Sequence, residues 1–156
     1  MDKGAPQQRR VVVHRNGKTE RGFLSDSRWQ NLEEILRSPS IGFPDFLPLT
    51  RDGSSETVEI PVSQAKAVFF VKSFEGCREQ LTVHFHSDDG VAGGLWVRVR
   101  FKDGEIVEGI VYNSSRYLVD PGFFLRPSDP ESNNELIYIL KSAIDEFQVI
   151  GVREIG

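Results

Sequence analysis

The chain has 156 residues, of which 38% are hydrophobic, and its 19 basic and 23 acidic side chains give a net charge of −4. This length fits one ordinary domain or two very small ones. The acidic balance disfavours nucleic acid and membrane partners, and no apolar run approaches the roughly 20 residues that a membrane helix needs, so a cytoplasmic location is expected.

The first predicted element is a hairpin over residues 11–24, VVVHRNGKTERGFL, with its turn at the Asn-Gly pair. A similar pattern recurs over residues 98–111, after a shift of 87. The shift matches identical residues at three places: Val12 with Val99, Gly17 with Gly104, and Gly22 with Gly109. We infer two degenerate copies of one five-stranded unit.

The alignment gives the first hairpin a candidate polar site. His14 and Glu20 occupy the positions that Phe101 and Val107 hold in the second copy, where an apolar pair would pack. A histidine that faces a carboxylate at such a place predicts a polar site. In the alternative, the first copy buries the other face of the strand and leaves His14 in water.

Residues 25–42 are an insertion in the first copy, and they contain the one predicted helix. Ser27 is its expected N-cap, and Pro39 stops it. Four apolar residues share one face of this helix: Trp29, Leu32, Ile35 and Leu36. The stripe either covers the core of the first copy or binds a protein partner.

The two copies are predicted to span residues 9–73 and 95–152, with a connector at residues 74–94. Their ends support this division, because residues 58–71, VEIPVSQAKAVFFV, align with residues 137–150, IYILKSAIDEFQVI, after a shift of 79. Both segments have apolar residues at each end, and Ser63 aligns with Ser142.

The second hairpin covers residues 97–111, VRVRFKDGEIVEGIV, in which apolar and charged residues alternate with the period of a half-buried strand. A three-residue loop that ends in a left-handed glycine would set Val99 opposite Val107. A two-residue turn would instead bury Glu108. We expect the longer loop, and we expect Gly109 to let the second strand bend sharply.

The pattern V-x-V-x-F-K-D-G-x-x-V-x-G-x-V over this hairpin resembles the opening strands of Sm-like small β-barrels. The resemblance implies a mainly all-β protein with two degenerate five-stranded barrels in tandem and one short helix inserted in the first. The positions at which Sm-like proteins bind RNA bases read YNSSRYLVD and YILKSAI here, which departs from the family pattern, so RNA binding is not implied. The segment GFFLRPSDPESNNELIYILKSAI also resembles uncharacterised bacterial domains that are associated with regulatory proteins.

A basic stripe lies on one face of the strand that opens the second hairpin. It consists of Arg98, Arg100 and Lys102, which alternate with apolar residues. Such a stripe could bind phosphate. Alternatively, carboxylates on the neighbouring strand, such as Glu108 and Glu105, balance it.

No catalytic motif is present: a nucleophile elbow, a phosphate-binding glycine loop and paired catalytic carboxylates are all missing. Cys77 is the single cysteine, and His84 with His86 lacks a fixed third ligand, so neither a cofactor nor a metal is expected. We expect a non-catalytic regulatory or adaptor module that binds a protein partner or itself through a sheet edge or the helical insertion.

The alternative function is that of a nucleic-acid or nucleotide-binding Sm-like protein. Because the net charge is negative, this function would require a local concentration of basic side chains on the folded surface. The arginines that would have to converge are Arg9, Arg10, Arg15 and Arg21.

Overall fold

The computed structural model describes residues 9–15, 17–25, 29, 43–74, 94–112, 120–129 and 131–152. These residues form ten strands: β1 (Arg9–Arg15), β2 (Lys18–Leu24), β3 (Phe46–Arg51), β4 (Thr57–Pro61), β5 (Ala65–Val71), β6 (Gly94–Phe101), β7 (Ile106–Tyr112), β8 (Gly122–Pro127), β9 (Asn134–Leu140) and β10 (Ile144–Val152). Two 3₁₀ turns, Val62–Gln64 and Lys141–Ala143, connect β4 to β5 and β9 to β10. The described part of the chain contains no α-helix. It therefore offers no helix with the length and apolar character that crossing a bilayer requires.

The strands form one antiparallel sheet of ten strands, in the order β10-β6-β7-β8-β9-β5-β1-β2-β3-β4. The neighbours follow the same sequence in the two halves, since β5-β1-β2-β3-β4 corresponds to β10-β6-β7-β8-β9. The halves are joined by the pairing of β5 with β9, in which Phe69 lies opposite Ile137. The predicted ranges 9–73 and 95–152 thus meet in the middle of one sheet.

The central strands β5 and β9 are buried on both faces, and they separate two hydrophobic cores. Val68 and Phe70 of β5 pack in the first core, whereas Phe69 and Val71 pack in the second. The same alternation holds in β9, where Tyr138 belongs to the first core. The residues of β9 that belong to the second core are Ile137 and Ile139. Each half therefore curls around its own core and shares its central strands with the other half.

This arrangement corrects the predicted architecture. The protein is mainly β, as expected, but the prediction of two closed small barrels in tandem is wrong, because the strands form one open sheet. A closed barrel of this size would turn one face of each strand toward solvent. The runs AVFFV in β5 and LIYIL in β9 have apolar side chains on both faces, and pairing the two strands buries both. The predicted helix at 25–42 lies outside the described residues, apart from Ser25 and Trp29.

The predicted register of the second hairpin is confirmed. Val99 lies opposite Val107, and the loop closes with a 2.8 Å hydrogen bond from the backbone N–H of Phe101 to the carbonyl of Glu105. Gly104 has the left-handed φ of 95° that this loop requires. Gly109 lies where β8 approaches β7: a Cβ there would meet the carbonyl oxygen of Arg126 and the side chain of Leu125. The absence of a side chain allows this close approach.

Candidate functional site

Among the strands that the structure describes, the two outermost are β4 and β10, and each has one neighbour in the sheet. The β4 edge is short, at five residues, and it ends at Pro61, which has no backbone N–H to donate. Thr57 and Glu59 are exposed on it. Short length, a proline and an exposed charge are the usual protections of an edge strand against pairing with another chain.

The β10 edge has these protections only in part, because its exposed charges lie at one end. The strand has nine residues, and its last six, Phe147–Val152, contain no charge and no proline. Its two acidic residues lie at the start of the strand, and both contact Arg100, with Arg100 Nη2 2.9 Å from Asp145 Oδ2 and 3.6 Å from Glu146 Oε2. The second part of β10 is therefore a neutral strand, and among the described strands it has a neighbour on one side, β6.

Three apolar side chains of this strand are exposed to solvent, and we call them the β10 patch: Val149 (52% exposed), Ile150 (42%) and Val152 (68%). The one other large hydrophobic residue that is exposed in the described part of the chain is Phe46, at 56%, on β3. Exposed β-branched residues on an unpaired edge strand combine a hydrogen-bonding template with an apolar contact surface.

The inner face of β10 holds the strand in place. Phe147 lies opposite Val99 of β6 and packs edge-on against Phe123, with ring centroids 5.7 Å apart. The register shifts between Val149 and Gly151, so Ile150 has no partner on β6. The bulge and the anchored Phe147 fix the position of the β10 patch without covering it.

The structure does not bring His14 and Glu20 together. His14 lies opposite Thr19, and Glu20 lies opposite Val13, so the two side chains leave opposite faces of the hairpin. The carboxylate of Glu20 instead lies 3.6 Å from Nη2 of Arg51. Val11 and Val13 are buried, as in the alternative considered for this strand.

His14 lies at the junction between the two halves. Its Nδ1 is 3.2 Å from the Thr19 hydroxyl, and its ring meets Phe69 edge-on, with centroids 5.1 Å apart. Burial, and after it the nearby Lys66 ammonium group, lowers the pKa of His14 from its ordinary value of 6.5. The imidazole is therefore neutral at physiological pH.

Lys66 ties β5 to the loop between β6 and β7. Its Nζ donates to Asp103 Oδ2 at 2.7 Å and to Glu105 Oε1, and it lies 4.5 Å from the centroid of the Phe101 ring. The hydrogen bond from Lys66, followed by one from the backbone N–H of Glu105, lowers the pKa of Asp103. Lys66 is thus paired with Asp103 and Glu105 in charge and in hydrogen bonding. We therefore interpret this contact as structural.

The predicted basic stripe is largely balanced by carboxylates. Arg98 donates from Nε and Nη2 to Glu108 Oε2 at 3.1 and 3.0 Å. Arg100 binds Asp145, and Lys102 is exposed. This agrees with the alternative, in which neighbouring carboxylates balance the stripe. Phosphate binding by the stripe stays a prediction, and most of its positive charge is already paired.

Trp29 is the one described residue of the predicted partner-binding stripe, and it is 4% exposed. Its ring packs against Phe43 and Phe70 in the first core, at centroid distances of 5.3 and 5.5 Å. This position favours the covering of the protein's own core over partner binding. Leu32, Ile35 and Leu36 lie outside the described residues.

The arginines required by the nucleic-acid alternative lie on two strands, with Arg21 on β2 and the other three on β1. Arg9 and Arg10 begin β1, whereas Arg15 ends it, which separates them by about 17–20 Å along the strand. Arg9 lies 3.5 Å from a carboxylate oxygen of Glu135. Arg15 donates to the side-chain carbonyl of Gln64 at 3.2 Å. The first half therefore presents no single concentration of unpaired arginines along β1.

In the ranges that the structure describes, no three histidine, cysteine or acidic side chains are placed to hold a metal ion together. His84, His86 and Cys77 lie outside those ranges.

A family model matches residues 7–151, which is nearly the whole chain. The chain belongs to DUF6982, a family of unknown function. No curated protein and no solved structure matches it. The Sm-like resemblance of the second hairpin is thus not supported by the family match.

Sequence reasoning did not single out the β10 patch. The segment EFQVIGV gives a signal, because apolar residues appear at consecutive positions where an amphipathic strand would alternate. That signal is equally typical of a strand buried on both faces, such as β5 with its AVFFV run. The pairing of the whole sheet decides which of the two strands has a neighbour on each side.

Proposed function

We propose that this protein is a non-catalytic regulatory or adaptor module that binds another polypeptide by strand addition to the free side of β10. The observation that carries the proposal is the exposed, uncharged second part of an edge strand, Phe147–Val152. Backbone groups on the unpaired side would supply hydrogen bonds, and the β10 patch would supply apolar contact area. Full burial of an exposed side chain of this kind is worth about 1.5–3 kcal/mol. Because these three are 42–68% exposed, each favours association by roughly half of that before the entropic costs of binding.

The other candidate surfaces are weaker. The β4 edge carries Pro61 and the exposed Glu59, and the Trp29 ring is occupied in the first core. Three of the four arginines that nucleic-acid binding would require are spread over the two ends of β1, and Arg98 and Arg100 of the basic stripe are paired with carboxylates. These observations favour β10 over the helical insertion and over the nucleic-acid alternative.

The proposal is tested by selecting peptides from a random display library on the immobilised full-length chain. The selected peptides are then measured against three forms: the wild type, the double variant Val149→Lys/Val152→Lys, and the matched control Phe46→Lys. All three positions are exposed, so the substitutions leave the cores intact. We expect the double variant to bind about 10-fold more weakly or worse, because lysines on an edge strand oppose pairing, while the control binds like the wild type.

Amide hydrogen exchange locates the contact. Bound peptide should slow exchange in β10 and leave β4 unchanged, because a strand added to β10 takes up the backbone N–H groups of that edge. Peptides that bind the double variant as tightly as the wild type, or that protect β4 instead, would contradict the proposal.

A further inference from the structure

We infer that the strand added to β10 is β10 of a second copy of this chain, paired antiparallel across a two-fold axis near Val149 and Ile150. This inference rests on the proposed function and names the partner of the same site. It would continue the ten-stranded sheet of one copy into the sheet of the other.

The side-chain sequence of β10 is self-complementary in this orientation. With the axis between Val149 and Ile150, Val149 lies opposite Ile150 of the second copy, and Phe147 lies opposite Val152. Pairs of β-branched residues, and of an aromatic with a β-branched residue, are favourable across antiparallel strands. Each member of the β10 patch would thus meet an apolar residue.

The charges of β10 favour the antiparallel orientation. Asp145 and Glu146 both lie at the start of the strand, next to Arg100 of the same chain. Antiparallel pairing about this axis places the two copies of Asp145 about nine residues apart along the strand, roughly 30 Å, well beyond the screening length of about 8–10 Å. Parallel pairing would set the same carboxylates beside each other.

The β4 edge is a poorer partner for β10. It has five residues against the nine of β10, so it would leave much of the longer strand unpaired. It would also oppose an exposed charge, Glu59, to the neutral part of β10. A contact between β10 and β4 of successive copies would moreover leave free edges at both ends of the assembly, whereas a two-fold contact closes on itself.

Sedimentation velocity over a range of protein concentrations tests the inference. The wild type should form a dimer that dissociates on dilution, and the double variant Val149→Lys/Val152→Lys should raise the dimer dissociation constant by about 100-fold or more, because like charges then meet across the axis. Phe46→Lys should behave like the wild type. Growth of the assembly beyond a dimer, or dissociation caused by Phe46→Lys, would overturn the inference in favour of other contacts.

Cross-linking gives the register and excludes a contact between unlike strands. In a Cys77→Ser background, chains with Val149→Cys are mixed with chains with Ile150→Cys, because these two positions lie opposite each other across the proposed axis, and Phe46→Cys is the control. Opposed residues of antiparallel strands have Cα atoms about 4.5–5.5 Å apart, a distance that a disulfide spans. A disulfide between position 149 of one copy and position 150 of the other should form readily, and none should form at position 46. A mixture that forms no such disulfide would overturn this register.

The two proposals fail in different ways. A wild type that stays monomeric up to its solubility limit overturns the self-pairing, while selected peptides that still require Val149 and Val152 would keep the strand-addition function. If dimers form and cross-link at β10, those peptides should compete with dimerisation. If neither peptides nor a second copy bind β10, both proposals are overturned.

Discussion

The hairpins β1–β2 and β6–β7 occupy corresponding places in the two halves, yet their turns differ in length by one residue. In the first, Arg15 is paired with Lys18, and Gly17 lies in the turn with a φ of 73°. In the second, the loop is one residue longer, and its glycine, Gly104, has a φ of 95°. An alignment anchored on the turn glycines therefore matches the second strands of the hairpins correctly but shifts the first strands by one position.

That single residue decides which side chains face the core. Val13, and not Val12, corresponds to Val99. Val13 and Val99 are both buried, and each lies two positions after the valine that pairs with the glycine of the hairpin's second strand. His14 is thereby removed from the face of Glu20. A one-residue shift exchanges the two faces of a strand, so the predicted polar pair depended on a loop length that the alignment could not fix.

The largest expected effect concerns the position at which the hairpins differ in polarity. Glu20 and Val107 correspond, but Val107 is buried, whereas Glu20 contacts Arg51. Val107→Glu should cost about 3–5 kcal/mol of unfolding free energy, since it buries an unpaired charge. The reciprocal Glu20→Val should change stability by less than about 1 kcal/mol, because Arg51 keeps Glu56 at 3.6 Å. Urea denaturation of both variants measures the two changes in unfolding free energy. Equal changes would contradict this difference between the hairpins.

The strand glycines should come next, because both hairpins need a close approach of the following strand. A Cβ at Gly109 would lie 2.5 Å from Leu125 Cδ2, and one at Gly22 would lie 2.7 Å from Leu49 Cγ. Alanine at either position should cost about 3 kcal/mol.

The turn glycines are the matched controls for these variants. A Cβ at Gly17 or Gly104 meets nothing within 4 Å. Alanine there should cost about 1–2 kcal/mol, from the left-handed backbone alone. Denaturation curves measure the loss of unfolding free energy in each variant. A larger loss in the turn variants than in the strand variants would show that backbone strain, and not the approach of the next strand, dominates in both hairpins.

A smaller effect should separate two ion pairs of β6. Glu108 is 11% exposed, so Arg98→Ala leaves a carboxylate that water barely reaches, and we expect a loss of about 1–2 kcal/mol. Arg100→Ala removes a partner from Asp145, which is 52% exposed, and should cost less than about 1 kcal/mol. The additional substitution Glu108→Ala should recover part of the first loss. A double-mutant cycle by thermal denaturation measures this recovery, and its absence would contradict the burial argument.

The smallest effect should be a pH dependence confined to the first hairpin. Because the folded-state pKa of His14 lies below its ordinary value of 6.5, the unfolded chain binds more protons below that pH, and stability falls as the pH drops until the folded-state pKa is passed. The loss should be under about 1 kcal/mol, given the partial exposure.

The variant His14→Gln should lack this slope near pH 6. The lowered pKa of Asp103 gives a separate window: its contribution is present above the ordinary value of 3.8 and is lost as the pH falls below it. Asp103→Asn should keep the slope near pH 6 and extend it to lower pH, because it removes a carboxylate that raises the pKa of His14. A slope that persists in His14→Gln would assign it to another group.

Local patterns in the sequence carried much of the fold. Alternation of apolar and charged residues predicted β6 and β7, and the need to keep Glu108 off the buried face predicted their register. The shift of 79 between residues 58–71 and 137–150 matches the strand, 3₁₀ turn and strand found in both places. These features depend on neighbours within one hairpin or one connection, which a single sequence contains.

The β10 patch could not be derived in this way. Consecutive apolar residues predict burial for β5 and for β10 alike. In the described part of the chain, β5 lies between β1 and β9, whereas β10 has the single neighbour β6. A free edge is a property of the complete strand order, which contacts between distant segments decide. No local pattern marks it.

The sequence by itself determined that the protein is mainly β, where its second hairpin turns, and which residues of that hairpin face the core, because side-chain alternation and turn chemistry act over a few residues. The tertiary structure decided that β5 pairs with β9 and joins the halves into one open sheet. The physical reason is burial: both strands carry apolar side chains on both faces, and only a shared position between two cores removes all of them from water.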